Sequence, residues 1–79
     1  MKVTVKYFGM VADTAKCQEE VFDIENGFSI TDLKVLIEKK YPEIIAVVYS
    51  VALNKKLLLS DVILNENDEI ALLPPFAGG

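Results

Sequence analysis

FSITDLKVLIEKKYP, residues 28–42, is the one stretch with a clear helical period. Ile30, Leu33, Leu36 and Ile37 recur at helical spacing and form one apolar stripe. Ser29 stands at the N-cap, where its oxygen accepts from the amide of Asp32, and Asp32 puts negative charge in the first turn. Phe28 and Leu33 hold the positions of a hydrophobic staple. Lys39 and Lys40 suit the C-terminal end, and Pro42 disfavours helix at Tyr41, so the helix stops there.

Outward from this helix the chain reads as strands. In KVTVKYF, residues 2–8, Val3, Val5 and Tyr7 share one face, while Lys2, Thr4, Lys6 and Phe8 share the other. The valines face inward, which leaves Phe8 on the polar side. GMVADTAKC, residues 9–17, predicts a loop with about one helical turn after a glycine break. EEVFDIE, residues 19–25, predicts a second strand, antiparallel to the first, with Val21 and Asp23 alternating against Phe22 and Ile24. VVYSVALNKKLLL, residues 47–59, predicts a strand, a tight turn at Asn54-Lys55 and a short partner strand. Residues 60–68 are polar and irregular, with Ile63 or Leu64 tucked in. DEIALLP, residues 68–74, is the last strand, with Ile70 and Leu72 on one face and Ala71 and Leu73 on the other.

The order is β-β-α-β-β-β. One helix must cover one face of a mixed sheet of four to five strands, which predicts an α+β, β-grasp (ubiquitin-like) fold. Its first and last strands then lie parallel at the centre. Phe8 and Leu73 become neighbours on the face the helix does not cover. Singly they are ordinary exposed apolar residues. As an adjacent pair they mark a partner surface.

Composition narrows the function. The 79 residues make a single domain over 1–79, with 52% apolar and 25% charged residues. Eight lysines, no arginine and a net charge of −4 argue against nucleic acid. No histidine is present, so the usual His/Cys metal sites and His-based proton transfer are excluded. No apolar run is long enough to span a bilayer and no signal peptide is recognisable, so no membrane partner and a cytoplasmic location are expected. Cys17 is a single thiol without a resolving partner and reads as structural. The acidic pairs Glu19-Glu20 and Asp68-Glu69 read as solvated.

The end of the chain, LLPPFAGG, carries the chemistry. Pro74 and Pro75 lack amide donors and cannot extend a ladder, so they lift the chain off the sheet. Residues 74–79 then form an extended tail reaching about 20 Å. Phe76 and Ala77 precede Gly78 and Gly79, which have no side chains and can enter a narrow channel. A free carboxylate is a poor electrophile until another enzyme activates it. No phosphate-binding glycine loop is present here, so the chain is a substrate or carrier and binds no cofactor of its own.

KVTVKYFG at the start, SITDLKVLIEKKYP in the middle, the Asn54 turn and NDEIALLPPFAGG at the end resemble the small subunits of molybdopterin synthase, a family of ubiquitin-like sulfur carriers. The resemblance implies an E1-like enzyme that uses ATP to adenylate Gly79, and a sulfur donor protein that converts it to a thiocarboxylate. It further implies that the tail enters the synthase large subunit and passes sulfur to a cyclic pyranopterin monophosphate. By the same resemblance, Gly79 and Gly78 are the reactive end. Phe8, Leu57, Leu73, Pro74, Pro75, Phe76 and Ala77 then contact partners, with Leu59 left open by the register of LLL. A ubiquitin-like modifier conjugated through Gly79, or a carrier for thiamine or cysteine synthesis, shares the same end; carriers of the thiamine pathway generally lack the Pro-Pro.

Overall fold

Residues 1–75 are described by the structure, a computed structural model. Seven regular elements follow in order: β1 (Lys2–Tyr7), α1 (Gly9–Ala15), β2 (Glu19–Asp23), α2 (Ile30–Lys40), β3 (Ser50–Leu53), β4 (Lys56–Leu57) and β5 (Glu69–Leu73). They build a five-stranded sheet in the order β2-β1-β5-β3-β4. β1 and β5 run parallel at its centre, and every other pairing is antiparallel. This is the expected β-grasp fold.

Alternation along the two central strands decides what is inside. Val3, Val5 and Tyr7 of β1 and Ile70 and Leu72 of β5 are buried in one cluster with Leu33 and Ile37 of α2. Side chains two apart share a sheet face, so these residues define the covered face. Phe22 and Ile24 join from the β2 side, as their alternation predicted.

α2 begins as the sequence demands. Ser29 Oγ accepts from the Asp32 amide at 3.1 Å, and the Asp32 carboxylate returns the favour to the Ser29 amide at 3.0 Å. Both orphan donors are satisfied reciprocally. The Asp61 carboxylate adds a third contact, accepting from the Thr31 amide at 2.9 Å. That hydrogen bond, before any other cause, holds the Asp61 carboxyl below its ordinary range. Around it, Ser29 and Ile63 form an isolated bridge and Leu64 is buried, so Leu64 rather than Ile63 is the residue tucked in.

Three expectations are corrected. Residues 9–15 form two turns of helix, not a loop with one. No side-chain cap marks the start of α1 and Lys16, not glycine, ends it at φ 59°. Burial of Val11 and Ala15 stabilises it instead, which no local signal reveals. Residues 42–46 make a 3-10 turn that buries Ile44, so the following strand starts only at Ser50. The acidic pairs are not simply solvated: Asp68 is buried and Glu20 is mostly so.

Asp68 is buried because it locks a turn. Asn54 and Lys55 both have positive φ, 50° and 73°, as a tight two-residue hairpin requires. The Asn54 amide side chain donates to Asp68 Oδ1 at 3.0 Å and accepts from the Glu69 amide at 2.9 Å. Asp68 Oδ2 accepts from the Asn65 amide at 2.7 Å. The β3–β4 turn is thereby tied to the first residue of β5.

Candidate functional site

The face opposite α2 is built from the alternate residues of each strand. Tyr7 stands opposite Leu72 in the central parallel pair, and the Phe8 amide donates to the Leu72 carbonyl at 3.1 Å. The ladder therefore continues one residue past β1 and sets Phe8 beside Leu73. Leu73 is opposite Ser50 on its other side. One row further down, Glu19, Lys6, Ala71, Ala52 and Leu57 lie side by side across all five strands.

The expected pair is thus brought together: Phe8 is 44% exposed and Leu73 half-buried at the point where the chain leaves the sheet. Leu57, 47% exposed, shares the face but stands two strands away from β5, about 10 Å at ordinary strand spacing. Ala71 and Ala52 bridge the distance with a low floor. Leu59 lies beyond the end of β4, is 92% exposed, and lines a groove of about 400 Å³ between α2 and the β3–β4 hairpin. Lys6 and Glu69 form an ion pair at 3.3 Å on the open face. Both are about one-third exposed, so the pair adds little stability but removes two free charges from the patch.

The root of the tail has a feature that sequence reading missed. Gly9 adopts φ +57°, and a Cβ on it would stand 2.8 Å from Pro74 Cγ. Only glycine permits this close approach, so the start of α1 seats the first proline after β5. The signal was present as an aromatic-glycine step at the end of a central strand, but the contact joins Gly9 and Pro74, 65 positions apart in the chain. Pro74 and Pro75 are exposed. Phe76, Ala77, Gly78 and Gly79 lie outside the described residues.

On the covered side, a polar cluster closes the β2 edge. The Tyr7 and Tyr41 hydroxyls donate to Glu20 Oε1 at 3.1 and 2.8 Å, and the Lys40 ammonium pairs with Glu20 Oε2. The two tyrosine rings meet edge to face at 6.0 Å. Burial pushes the Tyr7 phenol well above its ordinary range. Tyr41 is raised by burial and then by the contact with Cys17, whose Sγ is 3.6 Å from its hydroxyl. Cys17 belongs to this cluster. Among the described residues, no group of histidine, cysteine and carboxylate side chains could hold a metal ion, and no helix is long and apolar enough to cross a membrane.

The model of the ThiS family matches residues 5–79. The molybdopterin synthase sulfur carrier subunit of Mycobacterium tuberculosis is 32% identical, with 100% of this chain and 99% of that protein covered. A Pyrococcus furiosus structure assigned as molybdopterin converting factor subunit 1 superposes with a TM-score of 0.89 at 26% identity, covering 96% of this chain and 99% of that one. A chain of the protein-protein complex of subunits 1 and 2 of the molybdopterin-converting factor from Helicobacter pylori gives a TM-score of 0.70 at 27% identity, with both chains fully covered. On the match across nearly its whole length and the shared β-grasp fold, the chain belongs to the ThiS family.

Proposed function

We propose that this chain is the sulfur-carrying small subunit of a molybdopterin synthase and is not catalytic alone. The observation that carries the reading is the family match running through residue 79, joined to an open apolar face at the root of the tail. In this reading an E1-like enzyme transfers AMP from ATP to the Gly79 carboxylate and releases pyrophosphate. A sulfur donor protein then delivers sulfur at the sulfide level to the acyl carbon, the bond to AMP breaks, AMP leaves, and Gly79 ends as a thiocarboxylate. Pro74 and Pro75 keep the tail off the sheet, and Gly78 and Gly79 allow its end into a narrow channel of the large subunit. There the sulfur passes to a cyclic pyranopterin monophosphate, and water breaks the C–S bond and returns Gly79 to a carboxylate. Phe8, Leu73 and Leu57 supply the apolar contact, and Phe76 and Ala77 grip within the channel. The chain itself holds no cofactor.

The test is intact-mass analysis with mapping of the C-terminal peptide after incubation with ATP, an E1-like enzyme and a sulfur source. Mapping is essential because oxygen-to-sulfur exchange adds nearly the mass of one oxygen, which oxidation of Met10 or Cys17 would mimic. A thiocarboxylate on Gly79 is expected. Deleting Gly79, or adding one residue after it, abolishes sulfur transfer and leaves the thermal midpoint unchanged. An untouched Gly79 with a competent enzyme, or full activity of the extended chain, overturns the carrier reading; a lysine-linked adduct points to a protein modifier.

A further inference from the structure

We infer that the groove between α1 and the β1–β2 pair receives a cationic side chain of the large subunit, beside the apolar docking face; the inference rests on the function proposed above. The groove encloses about 590 Å³ and is lined by Lys6, Phe8, Gly9, Ala12, Asp13 and Glu19, among others. Phe8 belongs to both the groove and the open face, so a partner seated on Phe8 and Leu73 reaches the groove without a break.

Among the described residues its lining carries two carboxylates, Asp13 and Glu19, against one ammonium, Lys6. Although Glu19 stands directly opposite Lys6 in the β1–β2 register, the Lys6 ammonium lies 3.3 Å from Glu69 on the other neighbouring strand. Glu19 and Asp13 are exposed and have no ion-pair partner among the described residues. Two carboxylates without an ion-pair partner among the described residues therefore line the groove together with the Phe8 ring. Covering them with a neutral or acidic surface costs desolvation without return. An arginine or lysine returns it, with its charge on the carboxylates and its stem or cation on the Phe8 ring. Ala12 is the small side chain on the α1 wall of the groove.

Carboxylates at the rim of an apolar patch act on encounter more than on residence. The experiment measures association and dissociation of the full chain with the large subunit at several salt concentrations. The Asp13→Asn, Glu19→Gln double variant is expected to associate about tenfold more slowly at low salt, with the difference gone near 1 M, where screening acts within about 3 Å. Glu19→Lys falls further still. Leu73→Ala, outside the groove, speeds dissociation at every salt concentration. Wild-type kinetics for both groove variants, with Leu73→Ala still weakened, overturn the groove and leave the docking face standing. A wild-type chain that does not bind the large subunit at all removes both.

Discussion

Tyr7 shows how much one side chain joins. Its ring lies in the core between α2 and the central strands, while its hydroxyl leaves the core to reach Glu20. The phenol is stabilised in its protonated form by burial, so its folded pKa lies above the unfolded one. A raised pKa contributes stability that is fully present below the unfolded value, near 10, and is lost as pH rises through the folded value. Tyr41 is raised in the same direction. Thermal unfolding is therefore expected to show a midpoint that falls above about pH 10. Tyr7→Phe lowers stability at neutral pH by about 1 kcal/mol through the lost hydrogen bond and flattens that alkaline slope. An unchanged slope in the variant would show that Tyr7 does not govern it.

Elements in this fold are held by caps and turns as much as by their own propensity. α2 carries its signals locally: its Ser29 cap and its stop at Tyr41 were readable from residues 28–42, and the structure adds the return bond from the Asp32 carboxylate to the Ser29 amide. The Asn54 turn is different, because its side chain works on β5 rather than on its own hairpin. Asn54→Ala removes two side-chain hydrogen bonds and puts alanine, which visits the left-handed region less readily than asparagine, at φ 50°, so a loss of about 2 kcal/mol is expected in chemical denaturation. Asn54→Gly keeps the backbone freedom and loses less. Equal losses for the two would mean that the hydrogen bonds, not the turn geometry, carry the whole effect. α1 stands at the other extreme, a seven-residue helix without a side-chain cap that exists because Val11 and Ala15 are buried.

Across the whole molecule the two faces of the sheet divide the work. The covered face holds the core, and the open face holds Phe8, Ala71, Leu73 and Leu57 with the Lys6–Glu69 ion pair. Substitutions on the two faces should separate accordingly. Ile37→Ala, which empties a fully buried site, is expected to cost 2–5 kcal/mol of stability, a range typical of core truncations, and to leave partner affinity of the folded fraction unchanged. Leu73→Ala is expected to cost about 1 kcal/mol or less and to weaken large-subunit binding by at least tenfold. Denaturation midpoints paired with binding titrations on the same samples check both, and a Leu73→Ala variant that binds normally would remove the open face from the docking surface.

The amino-acid order alone determined the alternation of β1 and β5, the period and caps of α2, and the Pro-Pro step that ends the sheet. Each is a local property, written within a few residues as spacing or as a missing amide. From them follow the fold, the helix-covered face and the neighbouring of Phe8 and Leu73. Only the tertiary structure decided that residues 9–15 are helical, that Glu20 is drawn inward by two tyrosines and a lysine, and that Gly9 seats Pro74. It also decided that Lys6 turns from Glu19 to Glu69, leaving the α1 groove acidic. Each of these joins residues distant in the chain, and the free energy that selects them is burial and pairing across strands, which no local pattern encodes.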